Sequence, residues 1–289
     1  MKRYSVKQQQ LRSRSAFSLV ELLVVIMIIA ILIALIVPAL NGVRRRAQVA
    51  EVTAEINKID AAITQFKSDF GVEPPSNIVI PAVGDPWDAQ SRSKVRSIWP
   101  QFNFTTNGGF GNAAALHMNG AECLAFFLGG VPQVTATSRT VIGFSKNPAL
   151  PWTAAGTNRI GPFLEFEGAR LIDLDGDGLL EYTDPIPDQR TPILYIASQG
   201  KNYNRMNDAA QADDFDVHGT PTNPLDMTSI YFDAANRPIN PNGYQLISPG
   251  FDGTYGAGGV YLNGDELTGV RTVEADNITN FANGQLKAQ

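Results

Sequence analysis

The chain has 289 residues, of which 44% are hydrophobic and 18% charged, with a formal net charge of −5. A chain of this size buries a substantial core, in one domain or two small ones, and its acidic balance makes it a poor partner for nucleic acid and a reasonable one for cations. The single cysteine, Cys123, excludes an intrachain disulfide and a cysteine zinc site, and its apolar neighbours mark it as a core residue.

Residues 1–16 read as a basic leader. Lys2, Arg3, Lys7, Arg12 and Arg14 lie there without an acidic residue. Taking these five from the 23 basic residues leaves 18 against 28 acidic, a net of −10 for the rest of the chain. By the positive-inside rule the leader is expected in the cytoplasm and the bulk of the chain across the membrane.

Residues 17–40 read as a membrane helix. No side chain from Leu22 to Val37 is polar, and about 20 apolar residues cross a bilayer core. The segment is too long for a cleaved secretory signal, and no clean cut site follows it. Glu21 sits in its first turns. A charge there costs roughly 2.5–3.5 kcal/mol, which marks it as functional, and the segment itself offers no partner for it. Cleavage before Phe17 would create one, a free amine one helical turn away. A plain anchor explains the hydrophobicity and the flanking charge but not Glu21. Pro38, with Asn41-Gly42 beyond it, predicts a kink or a loosened turn.

The stretch Ala16-Phe17-Ser18-Leu19-Val20-Glu21-Leu22-Leu23-Val24 resembles the amino-terminal signal of type IV pilins and type II secretion pseudopilins. Ala16 stands where that family usually has Gly. The resemblance implies that a prepilin peptidase cuts between Ala16 and Phe17 and methylates the Phe17 amine. It implies a subunit held in the inner membrane with its head in the periplasm. An inner-membrane assembly platform would then polymerise it with itself and other pilins or pseudopilins. Glu21 would neutralise the Phe17 amine of an adjacent subunit. The implied fold is α+β: a long helix packed on a small antiparallel sheet, with long loops.

Residues 41–71 continue the helix as an amphipathic stretch. Val49, Val52, Ile56, Ile59, Ile63, Phe66 and Phe70 recur every three or four residues and form the core-facing stripe. Gly71 reads as its C-cap, and Pro74-Pro75 forbid its return. The sequence from Phe66 to Pro75 is similar to the end of this helix in protein G-like pseudopilins. The head is then 72–289. Its first part, 76–151, is rich in Gly, Asn, Pro and aromatics and reads as a variable insertion without assignable chemistry. A helix over 112–129 would carry Leu116, Cys123, Leu124 and Phe127.

Residues 173–184 hold the sharpest local motif in the head. Asp173, Asp175 and Asp177 alternate, Gly178 is sixth, Leu179 offers a carbonyl at the seventh place, and Asp184 closes at the twelfth. This spacing matches a calcium loop of weak, structural type. Pro185 and Pro187 exclude a following helix, and an acidic surface turn is the alternative reading. Residues 191–198 and 243–248 read as strands, with a polar loop over 202–242 between them. The turn at Asp252-Gly253, paired with Asp276-Asn277-Ile278, resembles the carboxy-terminal calcium loop of major pseudopilins, with Asp252 and Asp276 as side-chain ligands. No catalytic constellation appears: His117 and His218 are isolated, and no phosphate loop, nucleophile elbow or dinucleotide fingerprint is present. The expected function is that of a filament subunit with structural Ca2+ and no enzymatic activity. The competing expectation is a monomeric, membrane-anchored, calcium-binding surface module.

Overall fold

A computed structural model describes residues 18–135, 137–199, 202–203, 227, 229–263, 266–282 and 284–287. The expected cleavage site at Ala16 and Phe17, His218, and most of the 202–242 loop lie outside these residues. The chain divides into two compact units, Met1–Ala47 and Gln48–Gln289.

Helix α1 spans Leu19–Phe70 and contributes to both units. The helix continues over position 38, where the sequence predicts a kink, without a break in its assignment. In the first unit every large apolar side chain from Leu19 to Val37 is exposed, between 46% and 79%. In the second unit the expected stripe faces inward: Val52, Ile56, Ile59, Ile63 and Phe66 are buried. Gly71 ends the helix in the left-handed region at φ 78°, and its N–H donates to the Lys67 carbonyl at 2.8 Å. Glycine takes that conformation without a Cβ penalty.

The second unit is α+β. Its main sheet has five strands, in the order Asn202–Tyr203, Leu194–Gln199, Tyr244–Ser248, Ile278–Thr279 and Gly284–Gln285, all antiparallel. Side chains alternate across a strand, so each face takes every second residue. Tyr195, Ala197, Leu246 and Ile278 join the core that contains α1. Leu194, Ile196 and Ile247 join a second core with Tyr203, Tyr231, Tyr255 and Leu286. Both faces are therefore covered. The Tyr244 hydroxyl donates to Asp60 of α1, and the Tyr195 hydroxyl donates to the Pro74 carbonyl at 2.7 Å. The two expected strands are present, but the 202–242 segment is not wholly loop. It includes the Asn202–Tyr203 edge strand and Tyr231–Phe232, which pairs in parallel with Gly259–Val260.

The 76–151 segment builds core. Helix α2 (Ala89–Ile98) is capped by Asp88, whose carboxylate accepts the Gln90 and Ser91 N–H groups, and buries Ser91, Val95 and Ile98. Trp87, Trp99 and Phe102 gather round the buried Trp152 at ring-centroid distances of 4.6–6.1 Å. The helix expected over 112–129 is shorter. Leu116–Met118 is a strand paired with Ile78–Ile80, and helix α3 spans only Gly120–Gly129. Asn119 decides where α3 begins. Its side chain accepts the Ala121 and Glu122 N–H groups while Glu122 accepts the Asn119 N–H, a reciprocal capping box. Every residue of α3 is buried, Cys123 included.

Candidate functional site

Three places hold the charged residues that the sequence singles out. The first is the start of α1. Ser18 caps the helix: its hydroxyl accepts the Glu21 N–H at 3.1 Å, and the Glu21 carboxylate accepts the Ser18 N–H at 2.9 Å. The sequence suggests no partner for Glu21 inside its own segment. That expectation is corrected here, because a Ser and a Glu three residues apart at a helix start satisfy two orphan N–H groups reciprocally. The partner is backbone, however, and no basic side chain among the described residues pairs with this charge. From Leu22 to Val37 the helix is apolar all round and exposed all round, a surface matched to lipid or to other apolar helices and not to water.

The family model of the prokaryotic N-terminal methylation motif matches residues 11–37. The chain carries a prepilin-type signal. That signal fits a type IV pilin-like protein that is processed by prepilin peptidase, and it implies assembly with other pilins. Together with the apolar helix it marks a membrane-anchored protein. No curated protein and no solved structure is significantly similar to the chain.

The second place lies in the unit that begins at Gln48. Leu171–Ile172 pairs with Glu181–Tyr182 as a short hairpin, and residues 173–180 connect its strands. Its position is set by Arg170, which stacks over the Tyr182 ring at 4.3 Å and pairs with Glu55 of α1. The Tyr182 hydroxyl also donates to Glu55, at 2.8 Å. Within the loop each aspartate accepts a backbone N–H: Asp173 from Gly176 at 2.9 Å, Asp175 from Asp177 at 3.2 Å and Asp177 from Leu179 at 2.7 Å. Gly176 and Gly178 take the positive φ values that these tight turns need.

The structure gathers a different set from the one that loop spacing suggests. Asp175 and Asp177 meet Glu122 of α3, with one carboxylate oxygen from each lying within 4.8 Å of the others. Asp184, the expected twelfth ligand, is directed elsewhere. It is buried, accepting the Ile186 N–H at 3.0 Å and the Ser248 hydroxyl. Leu179 packs its side chain into the core. Glu181, at the ninth place, is fully buried and accepts the Leu174 N–H at 3.2 Å. Burial and like charge raise these carboxyl groups together. Burial, then Asp177, Glu181 and Asp175, push Glu122 well up. Burial, then Asp175, lifts Glu181 to about 9, and burial lifts Asp177 to about 6.

Sequence reasoning missed Glu122 because it is remote from the loop along the chain. A signal was present, since one carboxylate inside the apolar run Ala121 to Leu128 must find a polar partner once that run is buried. At the other expected loop, Asp252 and Asp276 do come together. Burial first, and the Asp276 charge after it, raise the Asp252 carboxyl. Asp252 accepts the Thr254 N–H at 2.9 Å and Asp276 the Phe251 N–H at 2.8 Å. The neighbouring Glu274 is held by the Arg271 guanidinium at 2.8–3.1 Å and joins neither.

Proposed function

We propose that the chain is a structural subunit of a type II secretion pseudopilus or a type IV pilus-like filament, polymerised through its amino-terminal helix. The observation that carries this reading is the helix from Leu19 to Val37, exposed on every face with a single carboxylate at its start. Lipid covers such a surface before assembly, and copies of the same helix cover it afterwards. Prepilin peptidase cuts between Ala16 and Phe17 and methylates the new amine. Glu21 then neutralises the Phe17 amine of an adjacent subunit, where little water competes for either charge. The subunit waits in the inner membrane with its head in the periplasm. An assembly platform there extracts it into the filament with other pilins or pseudopilins. Its work is polymerisation, without chemistry on a substrate.

The second reading is a monomeric anchored module, and the Ser18–Glu21 capping box favours it, because helix capping alone gives Glu21 a local role. Two measurements separate the readings. Mass and amino-terminal sequencing of the protein from its native membrane should give a chain beginning at N-methylated Phe17; a chain retaining its leader sinks the filament reading. Glu21→Ala should leave the protein in the membrane and abolish filaments in sheared fractions. Normal filaments from that variant would return Glu21 to a capping role only.

A further inference from the structure

We propose that Glu122, Asp175 and Asp177, with the buried Glu181 nearby, form a calcium site that ties the 173–180 loop to α3. The inference does not depend on filament assembly. It begins from three carboxylates on two distant parts of the chain, with one oxygen of each mutually within 4.8 Å. Calcium holds its oxygen ligands at about 2.3–2.6 Å, so ligands on opposite sides of one ion stand about 5 Å apart. The group therefore has the span of a single coordination shell.

Acidic groups often gather without an ion. The independent observation is that two of these carboxylates are buried and half-satisfied. Glu122 is 1% exposed and Glu181 0%. On each, Oε2 accepts one backbone N–H, from Asn119 and Leu174 respectively. On each, Oε1 is buried with no hydrogen-bond donor. A buried polar oxygen without a partner costs about 1–3 kcal/mol, more when charged, so native structures supply a partner, an ion or a proton. Among the described residues, no lysine or arginine forms an ion pair with any of the four. A divalent cation between loop and helix supplies the partner that the buried Glu122 oxygen lacks and offsets the like charge of Asp175 and Asp177 beside it. The donors are all oxygen, with no imidazole or thiolate, which selects a hard cation. Calcium accepts an irregular shell of six to eight oxygens, some from water, whereas magnesium demands a near-ideal octahedron. Glu181, in the second strand of the hairpin, is tied to the start of the loop by the Leu174 N–H at 3.2 Å.

The test uses the full chain in detergent micelles, stripped with EDTA and then melted with and without about 10 mM calcium, above the ~10⁻⁴–10⁻³ M dissociation constants of extracellular-type sites. Calcium should raise the melting temperature by about 3–10 °C. Glu122→Gln and Asp175→Asn should each abolish the shift, and Asp252→Asn should retain it. Asp175 is exposed, and an asparagine there keeps the bond to the Asp177 N–H, so this variant reads the site even if Glu122→Gln fails to fold. A wild-type chain with no calcium shift overturns the proposal. A shift retained in either folded site variant overturns it too. A shift lost with Asp252→Asn moves the ion to the carboxy-terminal turn and overturns it as well.

Discussion

A few buried charges set much of the chemistry of the head, and their burial decides what each is worth. Glu55 and Arg170 have side chains 7% and 12% exposed, and their pairing connects α1 to the acidic hairpin. Removing one partner of such a pair leaves an uncompensated buried charge, so Arg170→Ala should cost about 3–5 kcal/mol by thermal melting. The pair between Glu55 and Lys58 is the internal comparison. The lysine is 64% exposed, and Lys58→Ala should cost less than about 1 kcal/mol. Asp184 gives a pH signature. Burial lifts its carboxyl from 3.8 to about 6 in the folded chain. The native state therefore binds a proton that the unfolded state releases earlier, and stability is lost as pH rises through the window from about 4 to about 6. In chelator, Asp184→Asn should gain on the wild type across that window by up to about 3 kcal/mol, measured as the difference in melting between pH values of about 4 and 7. A difference that does not change with pH would show that Asp184 titrates normally.

Among the elements, the second half of α1 and all of α3 carry the packing. Ile59 lies wholly within the core, and truncation to alanine removes buried methyl groups and leaves a cavity. Ile59→Ala should destabilise by about 2–5 kcal/mol, read from the melting transition of the micelle-bound chain. The end of α3 is held differently. Gly130 has φ 93° and lies against Gly143, so a Cβ on Gly130 would fall 2.2 Å from the Gly143 Cα. That neighbour is backbone and cannot swing aside. Gly130→Ala should cost about 2–4 kcal/mol, whereas Gly71→Ala, with a positive φ of 78° but open space, should cost about 1 kcal/mol. Equal losses at the two glycines would show that conformation alone, and not close approach, matters at Gly130.

At the scale of the whole molecule, one segment answers to lipid and the remainder to water. The core residues all belong to the unit that begins at Gln48, while the exposed apolar residues of α1 lie before it. The full chain should therefore remain with membranes through alkaline carbonate extraction, and a chain beginning at Gln48 should stay in the supernatant and melt cooperatively. A Gln48 chain that still pellets with membranes would place a second membrane contact in the head.

What the amino-acid sequence determined alone is what depends on near neighbours. The prepilin-type signal, the length of the apolar run, the buried stripe from Val52 to Phe66, the stop at Gly71 and the strands around Leu194 and Tyr244 all follow from periodicity, capping and turn chemistry within a few residues. The same holds for the acidic loop, whose alternating aspartates and glycines specify its turns. What tertiary structure alone decided is which distant residues share a place. It broke the expected 112–129 helix, because Leu116–Met118 found a strand partner in Ile78–Ile80 and Asn119 supplied a cap. It turned Asp184 toward Ser248, and it brought Glu122 to the loop in its stead. The physical reason is the same in each case. A buried polar group takes whichever partner the packed core sets beside it, and the core is assembled from residues far apart in the chain.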